Sequence, residues 1–364
     1  MSTRAILLTG MRHLGLMRLW RYAQRGNIPI LMFHGVVAAK DNGVESPLRR
    51  RLSDRDLEAH IQTLSRCFHF VPLNDAVDML MGRRPTQPHS LVLTFDDGYL
   101  NNAAVAWPIL KRHGVPATFF IATGHVGRSK FFWRDRLDYA VGHLRPGVGW
   151  LTVGGVRYSV PRDGDRAKLQ NLFWQVLRAC NALGWARAEE VIDKIEELAT
   201  SKLADSPQSN HWARFMSWQQ VRSMRRGGAD FGSHSVSHHP LDEMSFGDVR
   251  RELENSRQKL ESEIGEPCSA VAYPNGRVSS DVARAAQQAG YRCGLTTGDT
   301  LARMGDPPVM LPRLGVPRRP IVSADLLART TGLSESLSRL RAHILPKTVA
   351  GRSSRSRRKQ HGRS

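Results

Sequence analysis

The chain of 364 residues is long enough for one large α/β domain or two small ones, and 41% apolar with 24% charged residues is a globular composition. It contains no run of eighteen apolar residues, so we expect no ordinary transmembrane helix. The net charge is +20, of which residues 1–26 supply five arginines and residues 346–364 supply seven Lys or Arg, with no acid in either segment. Charge alone does not decide whether such ends bind nucleic acid, anionic lipid or an acidic polymer.

The two basic ends are predicted to lie outside the main domain. Residues 3–25 have the pattern of an amphipathic basic helix that either packs on the main domain or lies on an anionic membrane surface. Residues 346–364 are predicted to be a disordered basic tail. The apolar start lacks a cleavage pattern and the four cysteines form no C-x-x-C pair. We therefore expect a cytoplasmic protein, peripheral on the inner face of the membrane if the helix binds lipid.

From Ile28 onward, short apolar runs alternate with helical segments, which is typical of a parallel sheet or barrel. Helix 245–264 has the clearest pattern, because Ser245 can cap it, an apolar stripe follows and Gly265 ends it. The other helices are predicted near 54–66, 74–82, 99–113, 217–227, 279–289 and 323–332. The predicted strands are Ile28–Phe33, His69–Val71, Leu91–Phe95, Ala117–Ile121, Ala229–Gly232, Ala270–Tyr273, Arg292–Leu295 and Leu311–Leu314.

Residues 130–215 interrupt this alternation. They contain a predicted hairpin around Gly154-Gly155 and a predicted polar helix near 185–199. We interpret them as an insertion between two strands. The predicted organisation is therefore a basic helix over 1–26, a barrel over 27–345 with the insertion 130–215, and a tail over 346–364.

The first segment that carries chemistry is Leu91–Gly98, where a buried strand delivers two adjacent carboxylates into a turn. Neighbouring side chains at a strand end point in different directions, so Asp96 and Asp97 can have different roles. One can bind a metal while the other faces a substrate water. The alternative is a solvated Asp-Asp-Gly turn.

The second segment is Phe231–Pro240, which contains three histidines. His234 and His238 are four residues apart, so one helical turn would place both on one face, with a spacing suited to metal binding. Imidazole suits zinc and other first-row ions. His239 would project elsewhere on an ideal helix. The alternative is a surface loop rich in histidine.

The third segment is Val271–Gly276, where a strand ends in a turn that contains Pro274. Such a turn can present a backbone N–H to a ligand, although an ordinary turn has the same pattern. All three segments follow predicted strands, and a parallel barrel keeps its active site at the carboxyl ends of its strands. One Asp with two His makes a metal site with open positions, and a second Asp beside it can act as general base.

This combination of motifs, in this order, resembles the polysaccharide deacetylase family (carbohydrate esterase family 4). The resemblance covers about Ile28 to Leu314 outside the insertion, and it rests on the motifs Thr94-Phe95-Asp96-Asp97 and His234-Ser235-x-x-His238. It implies an α/β fold, a distorted (β/α) barrel of about seven strands. It also implies a hydrolase that removes acetyl groups from the N-acetylated sugars of a polysaccharide or lipid-linked glycan.

The resemblance also implies roles for single residues. Asp96 corresponds to the catalytic base, while Asp97, His234 and His238 correspond to the ligands of a divalent metal, for which we expect zinc. The metal would lower the pKa of a water, and Asp96 would accept its proton.

The chain departs from the family pattern in its third motif. The usual Arg-x-Pro-Tyr is replaced by Ala272-Tyr273-Pro274-Asn275, so the Arg that would orient the catalytic Asp is missing. The backbone N–H of Asn275 remains a candidate oxyanion donor. Arg313, at the end of the last predicted strand, is the candidate replacement for the missing Arg.

The usual late His-bearing motif is absent as well. The segment Ile28–His34 looks like that motif moved to the front, as in permuted family members that act on secreted poly-N-acetylglucosamine. His34 is therefore the candidate general acid that protonates the leaving amine. The alternative is a packed histidine at a strand end.

Two other functions remain open from the sequence. One is a metal-dependent hydrolase of another non-peptide amide or ester, and the other is a binding barrel whose site is degenerate. The expected partner is an N-acetylated glycan, with exopolysaccharide biosynthesis as the expected setting. Nucleic acid is not expected, because no recognition motif accompanies the basic tail.

Overall fold

The computed structural model describes residues 10–11, 15–38, 46–48, 51–205, 212–316 and 323–336. Its main sheet is built from parallel strands in the order β11-β10-β9-β6-β5-β1-β12, and β4 also pairs with β5. The strands are β1 (Ile30–Phe33), β2 (Val36–Val37), β3 (Leu52–Ser53), β4 (His69–Phe70), β5 (Ser90–Phe95), β6 (Thr118–Ile121), β7 (Trp150–Val153), β8 (Val156–Ser159), β9 (Asp230–Ser233), β10 (Ala270–Ala272), β11 (Cys293–Leu295) and β12 (Leu314–Gly315).

The ends of this sheet meet and close a ring. Bridges pair Leu295 with Leu311 and Gly298 with Leu314 in parallel, so the segment that leads into β12 lies beside β11. On its other side β12 pairs with β1, where Leu31 faces Leu314. Seven strands therefore surround a common interior, which confirms the predicted barrel of about seven strands.

Helices surround the ring: α1 (Leu16–Ala23), α2 (Asp54–Ser65), α3 (Leu73–Leu80), α4 (Trp107–Arg112), α5 (Trp133–Gly142), α6 (Arg166–Leu183), α7 (Trp185–Glu196), α8 (Trp218–Arg226), α9 (Phe246–Ile264), α10 (Ser280–Gln288) and α11 (Ser323–Thr330). The sequence signals of α9 are confirmed, since the Ser245 hydroxyl accepts the Asp248 N–H and Gly265 ends the helix at φ 73°. None of the helices in the described ranges is both long and apolar enough to cross a membrane.

Side chains alternate between the inside and the outside of the ring, as the period of a β-strand requires. Ile30, Val92 and Phe120 belong to a buried cluster that draws on strands all around the ring. Their neighbours Leu31 and Leu93 belong to a second cluster, which the surrounding helices share. The inward positions of β1, β5 and β6 are thereby fixed, and the alternation carries on into the residues that follow each strand.

One end of the ring is covered and the other carries the loops after the strands. Helix α3 lies at the amino-terminal end, where the Ser269 hydroxyl donates to Asn74 at 2.8 Å and Arg292 pairs with Asp78 at 2.6 Å. Ser269 and Arg292 immediately precede β10 and β11. The carboxyl-terminal end is therefore the end at which a cavity can form.

The interruption at 130–215 has its own hydrophobic core, built from α5, α6, α7 and the antiparallel pair β7–β8. The predicted hairpin is confirmed, since β7 and β8 are joined by Gly154 and Gly155. The predicted polar helix near 185–199 is also confirmed, as α7 over Trp185–Glu196.

The predicted helix over 3–25 is described in part, as α1, which packs Met17 into the core at the amino-terminal side of the barrel. The guanidinium of Arg21 donates to the carbonyl of Cys67, just before β4, and the N–H of His89 donates to the Arg25 carbonyl just before β5. The predicted tail over 346–364 lies outside the described residues.

Candidate metal centre and active site

Strand alternation delivers three polar side chains to the same end of the barrel interior. His34 lies two residues beyond Met32 of β1, Asp96 directly follows β5, and His234 directly follows β9. Each occupies the inward parity of its strand, because His34 is in phase with Ile30 and Asp96 is in phase with Val92. The segments Leu91–Gly98, Phe231–Pro240 and Val271–Gly276 all end strands, as the sequence predicted, and each contributes residues to one cavity.

Asp97, His234 and His238 form a buried cluster, and each exposes 9% or less of its surface. The Oδ1 atom of Asp97 lies 3.6 Å from Nε2 of His234 and 3.3 Å from Nε2 of His238. All three donor atoms lie within 4.8 Å of one another, and no other such group of His, Cys, Asp or Glu occurs in the described ranges.

This donor set fits a divalent metal. Two donors bound at about 2.1 Å to one ion lie roughly 3.0–3.5 Å apart, and both Asp97 distances are close to that range. The Nδ1 atom of His234 lies 2.6 Å from the carbonyl oxygen of Ala272, so Nδ1–H donates there and Nε2 can offer its lone pair. Burial lowers the pKa of His238 to about 4, which leaves its ring neutral at pH 7.

The two histidines are not on a helix, so that prediction is wrong. Residues 234–239 form a loop after β9, in which Ser235 and His238 have φ values of 62°. The left-handed residues reverse the chain, so His238 returns toward His234 and the ring centres lie 4.8 Å apart. As predicted, His239 points elsewhere and stacks on Trp185.

Backbone strain concentrates at this site. Five residues other than glycine have positive φ in the described ranges, and four of them belong to the three predicted segments: Asp97, Ser235, His238 and Asn275. Each such residue costs of the order of 1 kcal/mol or more, and strain of this kind persists where the surrounding structure enforces it.

Arg313 binds Asp96 through a buried two-pronged contact. The Nη1 and Nη2 atoms of the guanidinium donate to the two carboxylate oxygens, each at 2.7 Å, and Arg313 is completely buried. The same guanidinium donates to the Thr94 hydroxyl at 3.1 Å and to the Thr296 carbonyl at 3.2 Å. Burial opposes the charge on Asp96, but the Arg313 charge and hydrogen bonds, with His234 and His34, outweigh it and hold the pKa of Asp96 below its usual value. The carboxylate is therefore ionised at neutral pH.

All the candidate residues except Arg313, which lies buried behind Asp96, line one cavity of about 190 Å³, together with Met32, Tyr99, Thr297 and Gly276. His34 is half-buried at its wall. Burial acts to raise the pKa of Asp97, but the His34 ring and the two other histidines outweigh it, and the pKa lies well below the usual value. Asn275, at φ 59°, lines the same cavity beside Gly276.

The sequence did not predict that the insertion contributes to the cavity. Phe132, Trp133, Arg134 and Asp135, at the start of α5, line it. The Phe132 ring stacks on His238 with the ring centres 4.0 Å apart. The aromatic residues before Asp135 were the feature of the sequence that could have suggested this contribution. Nothing in that segment indicates a contact with His238, which lies more than a hundred residues further along the chain.

Asp135 links the insertion to the barrel through two hydrogen-bonded contacts. Its carboxylate accepts the Tyr99 hydroxyl at 2.8 Å and the Arg51 guanidinium at 3.2 Å, and all three side chains are buried. The insertion is thus fixed to the turn after Asp96-Asp97-Gly98.

Comparison with known proteins places the chain in a family. The profile of the family described as polysaccharide deacetylase matches residues 83–294, which is more than half of the chain. YxkH of Bacillus subtilis, named for the same family, is 20% identical over 271 residues, and the match covers 74% of this chain and 64% of that protein. The chain thus matches a little under two thirds of that relative.

Two solved structures share the fold. The deacetylase PplD of Streptococcus pyogenes, solved in complex with acetate, aligns with a TM-score of 0.54 at 18% identity, over 84% of this chain and 98% of that one. IcaB of Ammonifex degensii aligns with the same TM-score and identity, over 84% of this chain and 97% of that one. These likenesses show the shared fold, and the profile match over more than half of the chain shows that the chain belongs to the polysaccharide deacetylase family.

Proposed function

We propose that this chain is a metal-dependent deacetylase, which hydrolyses the acetamide of N-acetylated sugars in a polysaccharide or lipid-linked glycan. The observation that carries the proposal is the meeting, in one cavity, of the Asp97-His234-His238 cluster with Asp96, whose carboxylate is paired behind the cavity wall with the fully buried Arg313. Family membership supports hydrolysis of a carbon–nitrogen bond outside peptides. Exopolysaccharide synthesis is the setting we propose for it.

Asp97, His234 and His238 would hold the metal, for which we propose zinc because two imidazoles and one carboxylate suit it. When bound, such an ion polarises a carbonyl oxygen and lowers the pKa of water. The contact from His234 to the Ala272 carbonyl orients the first imidazole, and the Phe132 ring limits the movement of the second.

Asp96 accepts the proton of the attacking water. It is adjacent to Asp97 in sequence, and its ionised state is maintained by Arg313. Arg313 thereby replaces the Arg that the usual third motif would supply. Because the guanidinium binds both carboxylate oxygens, it also fixes the direction in which the base faces.

His34 and Asn275 complete the chemistry at the cavity wall. As the water oxygen bonds to the acetamide carbon, the carbonyl oxygen gains charge, and the donor we propose for it is the backbone N–H of Asn275, a residue of the cavity wall. His34 then protonates the nitrogen as the carbon–nitrogen bond breaks. The products are acetate and a free amino sugar.

The cavity size supports a substrate that enters with one end. A volume of about 190 Å³ is smaller than the roughly 300–1,000 Å³ of pockets that enclose whole drug-sized ligands. It can therefore take the acetamide and part of one sugar ring, while the rest of the glycan stays outside.

The test is acetate release from a panel of N-acetylated glycans, N-acetylated lipid-linked sugars and non-sugar amides, with zinc content measured in parallel. We expect release from the sugars, loss of zinc and activity in His234→Ala, and full zinc with about 10²–10⁴-fold slower release in Asp96→Asn. His239→Ala is the matched control, because that ring stacks on Trp185 outside the cluster. Normal zinc content in His234→Ala, or release confined to non-sugar amides, would show that the proposal is wrong.

A further inference from the structure

Helix α1 has one face fixed to the barrel and one apolar face left exposed. Met17 is buried in the core and Trp20 packs against it. On the other side, Leu16, Leu19 and Tyr22 expose 43%, 69% and 61% of their surfaces. These three residues are spaced three apart, so they lie along one side of the helix. A stable attachment on one face with an apolar stripe on the other is unusual for a helix that faces only water.

Cations surround this stripe. Arg18 is exposed on the same side of α1, and the Arg25 guanidinium carbon lies 4.3 Å from the centre of the Tyr22 ring. The His89 ring is neutral at pH 7, because its pKa is lowered by burial first and then by the positive charges of Arg21, His69 and Arg25. The sequence has no Asp or Glu before residue 41, so α1 brings no acid of its own to neutralise these charges.

We propose that α1 binds the surface of an anionic lipid bilayer, with Leu16, Leu19 and Tyr22 in the interfacial region and Arg18 and Arg25 among the headgroups. An apolar strip flanked by arginines, with an aromatic ring at the boundary, matches the layers of such a surface. The surface we propose for it is the inner face of the membrane, because the cytoplasmic leaflet carries negative charge. The proposal is independent of the proposed reaction, because the helix lies at the amino-terminal side of the barrel.

The test is co-sedimentation of the full chain with phosphatidylcholine vesicles, with and without phosphatidylglycerol. We expect binding only when phosphatidylglycerol is present. Each cation near such a surface contributes about fivefold in affinity, so Arg18→Glu, which also adds a repelled charge, should weaken binding by about tenfold or more. Leu19→Glu should weaken it at least as much, because it places a carboxylate in the apolar strip.

The hairpin β7–β8 supplies matched controls. Val156→Glu replaces an apolar residue by Glu, and Arg157→Glu replaces an arginine by Glu, at exposed positions of the insertion. Val156 exposes 54% of its surface. Both should bind like the parent chain. All four variants should keep the parent melting temperature and rate of acetate release from a soluble substrate, which separates this test from that of the proposed function.

Three results would overturn the proposal. One is unchanged vesicle binding in both Leu19→Glu and Arg18→Glu. Another is complete loss of binding when residues 346–364 alone are removed, which would assign the interaction to the basic tail. The third is binding to duplex DNA that competes fully with the vesicles and is insensitive to Leu19→Glu, which would indicate charge attraction alone.

Discussion

Arg313 and Asp96 form an ion pair with both side chains almost fully buried. Removing one member of such a pair leaves the other charged in a low-dielectric interior, which costs about 3–5 kcal/mol. We predict that Arg313→Met lowers the free energy of unfolding by this amount, as measured by urea denaturation. The pKa of Asp96 should rise toward or above its usual value, because burial then acts without the guanidinium.

The double variant Arg313→Met with Asp96→Asn is the control, because it leaves no uncompensated charge. It should recover a large part of the lost stability, although it stays inactive. Equal stability losses in the single and double variants would show that Arg313 acts through packing on Phe120 and not through its charge.

His34 provides the second prediction at this scale. An amide nitrogen needs a proton to leave, whereas an activated aryl acetate releases a stable phenolate. His34→Ala should therefore slow acetate release from N-acetyl sugars by about 10²–10⁴-fold and affect aryl acetates much less. Zinc content, measured in the same preparation, should be unchanged. Equal losses on both substrates would assign His34 to structure or to an earlier step.

The site residues could be predicted from sequence to different degrees. Asp96 and Asp97 follow an unmistakable buried strand, so their position at a strand end was predictable. The pairing of Arg313 with Asp96 spans 217 positions, and only the resemblance to a family suggested that an Arg was needed. The role of Phe132 was not predictable, since no local pattern specifies that its ring meets His238.

The loop that carries the two histidines is held by helix α9. The Glu252 carboxylate accepts the N–H groups of Val236 and Ser237, each at 2.8 Å. These contacts fix the reversal between His234 and His238. Partners that orient ligands in this way typically contribute 10–100-fold in metal affinity.

We predict that Glu252→Gln weakens zinc affinity by about 10–100-fold, because both N–H groups donate to one carboxylate oxygen, Oε2, and a neutral amide oxygen accepts them more weakly than a charged one. A competition titration with a zinc chelator would measure the change. Glu254→Gln is the control on the same helix, since Glu254 pairs with the exposed Arg250 away from the loop. The loop would not depend on α9 if both variants bound zinc with the parent affinity.

Elements were predicted well where periodicity decides them, and less well where single backbone angles do. Alternation and capping predicted the strands of the ring and helix α9 to within a few residues. The spacing of His234 and His238 suggested a helical turn, and the loop achieves the same proximity through left-handed residues that spacing does not reveal.

At the scale of the whole molecule, closure of the ring makes the permuted order of the motifs chemically equivalent to the usual order, in which the His-bearing motif comes late in the chain. Because β12 pairs with β1, a histidine after the first strand reaches the same cavity as one carried late in the chain. The alternation of strands and helices left a parallel sheet and a barrel both possible, and the family resemblance is what predicted this closure. The packing of the insertion onto the site was not predictable, because it depends on contacts such as Tyr99 to Asp135 between separate cores.

The opposite placement of α1 and the cavity has a consequence for reach. A strand of six residues such as β5 spans about 20 Å, so a chain seated on lipid through α1 with its barrel axis perpendicular to the bilayer would hold its reacting atoms about that far above the headgroups. A single sugar attached to a lipid in the same bilayer could not bridge this gap, whereas a long glycan could bend back into the cavity. On vesicles, acetate should therefore be released faster from long lipid-anchored glycans than from one lipid-linked sugar, and detergent should abolish the difference. The height of the barrel would then set the minimum length of a lipid-anchored glycan that can reach the cavity.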